Sequence, residues 1–138
     1  FEHEAVRTSE EAASVRPEYT ISQGSKALIV RAKKGSEKLF IMIVVPGDKK
    51  FDPKKVKEQF NFSDLRFATV EEVHDITGGV LPGGVPPFGN LFGIPVFADA
   101  GVFHNEKIIF NAGDRSFSVG MFAKDYESLV HPTIGSVC

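Results

Sequence analysis

At 138 residues, with 42% hydrophobic and 25% charged side chains, the chain can bury one core without metal or disulfide staples and is too apolar to stay disordered. A formal net charge of −2 gives no overall attraction to polyanions, and the single cysteine, Cys138, excludes an intrachain disulfide and fits a reducing compartment. With no apolar run of ~18 residues and no signal-peptide pattern, the sequence reads as one soluble, cytoplasmic domain over residues 1–138.

The first expected element is a short helix opened by Thr8-Ser9-Glu10-Glu11, a capping box running to about Val15 ahead of Pro17. Lys26 to Ala32 and Lys38 to Val45 are β-rich runs joined through Lys34-Gly35-Ser36, which predicts a hairpin. The second run is apolar on both faces and is expected centrally in a sheet. Asp52-Pro53 supplies an N-cap and a first-turn proline for a helix to about Phe60, followed by a short strand from Leu65 to Ala68. Thr69-Val70-Glu71-Glu72 is a second capping box, for a helix that stops before Gly78.

Residues 78 to 93 then hold six Gly and three Pro among sixteen positions, which rules out an ordinary helix or central strand. A flexible linker would lack the apolar anchors Val85, Phe88, Leu91 and Phe92, so the stretch reads as a shaped wall pinned to a core. Beyond it, Pro95 to Ala98, Lys107 to Asn111 and Ser116 to Met121 are expected strands, with turns at His104-Asn105 and Gly113-Asp114. Ala123 to Val130 is expected as a helix and Thr133 to Val137 as a last strand. The elements add up to an α/β (α+β) single domain with a central mixed, mostly antiparallel sheet flanked by short helices.

Charge is unevenly distributed. Residues 26 to 57 carry ten basic side chains against three acidic ones, which marks either a solvated lysine-rich face or a surface for a polyanion. Catalytic signatures are sparse: no GxSxG elbow, no GxxxxGK[ST] loop and no GxGxxG. The four histidines lack metal-ligand spacing, and Cys138 at the last position is a poor candidate nucleophile. No metal or cofactor is expected. Any chemistry here would rest on shape and backbone donors.

Three segments carry a family resemblance. Lys26-Ala27-Leu28-Ile29-Val30, then Gly83-Gly84-Val85-Pro86-Pro87-Phe88-Gly89, then Phe110-Asn111-Ala112-Gly113-Asp114-Arg115 resemble the hallmark segments of the YbaK/ProX family, and residues 2 to 13 are similar to its start. That family comprises the editing domain of bacterial prolyl-tRNA synthetases and its freestanding relatives. The resemblance implies the family's partly barrel-like sheet and hydrolysis of mischarged aminoacyl-tRNA. The expected substrate is a small residue such as Ala, Cys or Ser, on the tRNA for proline. Water would attack the ester, helped by backbone donors of the Gly-rich loop and by a ribose hydroxyl of the substrate.

Carried over by position, the resemblance implies catalytic roles for Lys26, near the terminal nucleotide, and for Gly84 through its backbone. Gly83, Val85, Pro86, Pro87, Phe88 and Gly89 would form one wall of the amino-acid pocket, with Pro86 and Phe88 setting its width. Asn111, Gly113 and Asp114 would line the opposite side, Asp114 being equally readable as a turn residue. Alanine-specific relatives carry His-Pro where this chain has Ala112-Gly113, a departure that leans toward the YbaK-like branch. Lys33, Lys34, Lys50 and Lys54 are the expected contacts to the acceptor end of the tRNA. Association with a synthetase, and the alternative of a non-catalytic module that binds aminoacyl-tRNA or a nucleotide, stay open on sequence.

Overall fold

The structure is a computed structural model that describes residues 21–81, 83–113 and 116–138. The expected helix after Thr8 therefore lies outside the described residues. So does Asp114.

Strands β1 (Ser25–Lys34) and β2 (Glu37–Pro46) form a long antiparallel hairpin turning at Gly35-Ser36, as the two β-rich runs predict. Helix α1 (Pro53–Phe60) is capped by the Asp52 carboxylate, which accepts from the N–H groups of Lys54 and Lys55. Strand β3 (Asp64–Phe67) runs into helix α2 (Val70–Thr77), whose capping box is formed on both sides by Thr69 and Glu72. After the Gly/Pro stretch come β4 (Val96–Asp99), β5 (Lys107–Asn111), β6 (Ser118–Phe122), helix α3 (Ala123–Val130) and β7 (Thr133–Gly135).

Five strands make one mixed sheet in the order β3-β1-β2-β4-β7. β1 pairs antiparallel with β2 and β3, while β2–β4 and β4–β7 are parallel. β5 and β6 form a separate antiparallel hairpin, joined to the start of β1 by one parallel bridge between Gly24 and Ile109. The sheet does not close, which corrects the expected barrel-like form. β3 covers only the far half of the outer edge of β1, and the β5–β6 hairpin touches that edge at one point.

Alternation along β1 and β2 splits the interior into two cores. Ile29, Met42 and Val44 face the first, with Val73 of α2, Val85, Phe110 and Tyr126 of α3. Val30, Ala32, Ile41, Ile43 and Val45 face the second, covered by Val56 of α1 and by Phe62. Because β2 is buried on both sides from Ile41 to Pro46, its apolar run has no solvent face. The last strand stops at Gly135, short of the expected Val137. Side chains replace the ladder there: Ser136 N–H donates to Gln59 Oε1 (2.7 Å) and Val137 N–H to Asp99 Oδ1 (3.0 Å).

Candidate active site

The Gly/Pro stretch is a loop held at three points. Gly84 N–H donates to the Leu81 carbonyl (3.0 Å), closing a turn in which Gly83 has φ +88°, a conformation that favours glycine. The Asn111 side-chain amide then donates to the Gly83 carbonyl (2.6 Å), and Gly113 N–H donates to the Gly84 carbonyl (2.7 Å). Further along, the buried Tyr126 hydroxyl donates to the Pro87 carbonyl (2.5 Å). Two expected pocket segments, Gly83-Gly84 and Asn111 to Gly113, are thus bonded directly to each other.

Strand register relates Lys26 to them. Paired residues share a face, and so do residues two apart along a strand. From the Gly24–Ile109 bridge, two steps along parallel strands reach Lys26 on β1 and Asn111 on β5. Asn111 is paired with Ser118 on β6, and the Ser118 hydroxyl donates to Asn111 Oδ1 at a long 3.5 Å. Lys26 and Asn111 thus each lie two residues beyond the bridge, on the face that also carries Ser118, although the strand pairing itself does not extend past Gly24 and Ile109. The row before them is Gly24, Ile109 and Gly120, with no side chain on either side of the isoleucine. Ile109 and Ser118 are both fully buried, so this part of the face is covered and Asn111 is its half-buried margin. The Gly83 carbonyl, held by Asn111, places the loop at this margin.

Several expected wall residues support the loop from behind. Val85 is buried in the first core, Pro87 is buried, and the Phe88 ring lies 5.4 Å from both Phe110 and Tyr126. The Phe88 ring therefore packs against the first core while staying partly exposed. Gly89 is required for packing: a Cβ there would stand 2.6 Å from Val96 and 2.8 Å from the Ile94 carbonyl. Pro86 is half-buried and Gly83 exposed. Gly84 N–H, the expected donor toward an oxyanion, is engaged by Leu81, whereas Gly83 and Val85 donate theirs to none of the described residues.

The lysines divide between the two ends of the hairpin. Lys26 is exposed at the start of β1, and Gly47 N–H donates to the Gly24 carbonyl (2.7 Å), so the turn bearing Lys49 and Lys50 sits beside that end. Lys54 follows, exposed in the first turn of α1. Lys33 and Lys34 lie at the opposite end of β1, and the Lys34 amine stands over the Phe62 ring at 5.9 Å. The structure does not bring these two to Lys26. Seven or eight residues of extended chain separate them, roughly 25 Å.

Ser118, fully buried behind Asn111, is a partner of the expected pocket residues that sequence reasoning missed. Its signal was the period of two in Ser118-Val119-Gly120-Met121, which puts Val119 and Met121 against the first core and leaves Ser118 and Gly120 on the other face.

Burial shapes two titratable groups. It pushes the Tyr126 phenol well above its ordinary range and the Cys138 thiol up to about 11, so Cys138 is a poor nucleophile at neutral pH. Among the described residues, no three His, Cys, Asp or Glu gather around a point that one metal ion would fit. No helix among them is long and apolar enough to cross a membrane. A cleft of about 450 Å³ between Phe103, Phe122 and Lys124 lies at the far end of β6 from Ser118, away from Asn111.

The chain is similar to known proteins over nearly its whole length. The aminoacyl-tRNA editing domain profile matches residues 3–129. The multifunctional Ser/Thr-tRNA deacylase ProXp-y of Escherichia coli K12 is 28% identical over 133 residues, 96% of this chain and 78% of that protein. Among solved structures, a candidate trans-editing enzyme for prolyl tRNA synthetase superposes with a TM-score of 0.85 at 26% identity, covering 99% of this chain and 83% of the other. A hypothetical protein of 24% identity shares the fold with a TM-score of 0.84, over 99% of this chain and 88% of its own. With a match spanning nearly the whole chain, the protein belongs to the aminoacyl-tRNA editing domain family and is an aminoacyl-tRNA deacylase, a hydrolase of the aminoacyl ester.

Proposed function

We propose that this deacylase clears seryl and threonyl esters from tRNA at the face of Lys26 and Asn111. The observation that carries the reading is the hydrogen bond from Asn111 to the Gly83 carbonyl, which joins the glycine loop to that face. The E. coli relative's Ser/Thr-tRNA activity supports the substrate class. Chemistry supports it as well: the half-buried Asn111 carboxamide is a group of the kind a β-hydroxyl pairs with, and the buried Ser118 hydroxyl holds its oxygen. A site that hydrogen-bonds a substrate hydroxyl disfavours analogues that lack it, such as alanine.

In this reading Lys26 holds the terminal ribose or its phosphate by charge and orients the ester. A water adds to the carbonyl carbon, and the resulting oxyanion is received by the N–H groups of Gly83 and Val85. Gly84 lets the backbone approach but does not itself donate. The substrate's neighbouring ribose hydroxyl relays the proton, accepting the water's as it passes its own to the departing ester oxygen. Collapse expels that oxygen, now protonated, giving a free amino acid and uncharged tRNA. Preorganised backbone donors of this type contribute about 2.7–4 kcal/mol each in acyl transfer. Lys50 and Lys54 steady the acceptor end, and work on tRNA places the protein with the translation machinery, where a synthetase is a natural partner.

The test is a deacylation panel with Ser, Thr, Ala, Cys and Pro esters on more than one tRNA body. Seryl and threonyl esters are expected to be cleaved fastest, with Ser118→Ala narrowing the preference for Ser over Ala. Equal rates for Ser and Ala in the native protein would overturn the substrate assignment. Co-purification with a synthetase reads the partner question separately.

A further inference from the structure

On the same face as Lys26, β1 continues through Leu28 to Val30, and Val30 is paired with Phe67 at the end of β3. Phe67 is 58% exposed, unusually so for a ring at the end of a strand, and the adjoining Val70 is exposed as well. The ring is nevertheless held. Phe51 meets it edge-on at 5.8 Å and 71°, and Arg66 Nη1 donates to the Phe67 carbonyl (3.0 Å) while Arg66 grips Glu72 with both nitrogens (2.8 and 3.0 Å). Lys49 and Lys50, immediately before Phe51, are both exposed. An exposed aromatic fixed in place on a lysine-bearing surface is the pattern of a single-stranded nucleic-acid platform, in which the ring stacks a base and nearby amines neutralise phosphate. From Val30 to Lys26 is four residues of strand, about 13 Å, a span that a few unpaired nucleotides cross.

We propose that Phe67, braced by Phe51, with the exposed Lys50 one residue before that brace, is the stacking platform for the unpaired nucleotides that precede the terminal adenosine of aminoacyl-tRNA. The inference rests on the site reading above, since it takes the ester to lie at Lys26. A base on Phe67 and an ester at Lys26 fix the strand at two points. The ring thus acts on substrate affinity and leaves the chemical step alone.

The probe is a short, unacylated single-stranded RNA ending in CCA, measured by fluorescence anisotropy against the whole chain. Phe67→Ala is expected to weaken its binding about tenfold. Phe67→Tyr should restore binding, and Phe67→Leu, which keeps apolar area but not the ring face, should not. On aminoacyl-tRNA the alanine variant should raise KM with kcat unchanged, while hydrolysis of an aminoacyl ester of adenosine alone stays at the native rate. Native-like RNA binding by Phe67→Ala overturns the proposal, and so does an equal loss on the adenosine ester. Because the RNA carries no ester, a chain that failed to deacylate seryl-tRNA would sink the substrate assignment and leave this measurement standing.

Discussion

At one end of the β1–β2 hairpin, Lys26 follows the bridge from Gly24 to Ile109 of the second hairpin, whose Asn111 ties down the Gly83 carbonyl, with the Lys49–Lys50 turn alongside. At the other end, Lys33 is paired with Lys38 and Asp64, and Lys34 is paired with Glu37. The lysines are comparable in number, but their neighbours differ. The tip offers nearby acids and open solvent. The base offers a second hairpin and a loop with backbone donors, so charge there meets shape. A lysine-rich run becomes a site only where the chain returns to it from elsewhere.

The largest expected effect separates the two ends outright. Lys26→Ala should lower kcat/KM for aminoacyl-tRNA by at least about a hundredfold, while the double variant Lys33→Ala, Lys34→Ala keeps a near-native rate. Comparable losses in both would erase the distinction. Next comes the support behind the loop. Gly89→Ala forces a methyl group against Val96 and the Ile94 carbonyl and should destabilise the fold by about 1–3 kcal/mol, read as a lower midpoint in urea.

Tyr126→Phe leaves the Pro87 carbonyl without its donor and should remove about 1–2 kcal/mol of stability, together with part of kcat as the loop loosens. An unchanged kcat would show that the loop is held by Asn111 and Gly113 alone. A smaller effect concerns salt. Removing Lys50 and Lys54 together should shallow the slope of log affinity against log salt by roughly 1–2, with Lys33 and Lys34 contributing less.

The smallest effect reads the bracing of Phe67. The hydrogen bond from Arg66, and then the Thr69 N–H, hold the Glu72 carboxyl down at about 2 from its usual 4.5. Because the folded value is depressed, the stability that Glu72 adds is present above about pH 4.5 and is lost as pH falls toward 2. Glu72→Gln should flatten the acid limb of a thermal-stability profile over that window. The group is solvent-accessible, so the change will be modest.

Much of this fold was legible because its signals are local. Asp52-Pro53 and Thr69 to Glu72 specify helix starts through bonds spanning two or three residues, and both helices begin where those caps dictate. The Lys34-Gly35-Ser36 break and the flanking β-rich runs gave the hairpin. Less legible were features that depend on contacts between distant segments. The partly barrel-like form that the family resemblance implied is one such feature: the sheet stays open, with β5 and β6 paired to each other as a separate hairpin. The strand at 133 to 137 was cut by the Gln59 and Asp99 side chains, which no local pattern reveals.

The same division runs through the site. Sequence alone determined that Gly83 to Gly89 is a constrained loop, because residue type suffices for that, while Lys26 and Asn111 to Gly113 stood out only through the family resemblance. Only the tertiary structure decided which atoms serve. It engaged Gly84 N–H in a turn, packed Phe88 against the first core and gave Gly89 a packing role. It also set Ser118 behind Asn111 and left Lys33 and Lys34 at the far tip. The physical reason is that backbone propensity acts over a few residues. Register, facing and hydrogen-bond partnership are set by whichever strands the two cores bring side by side.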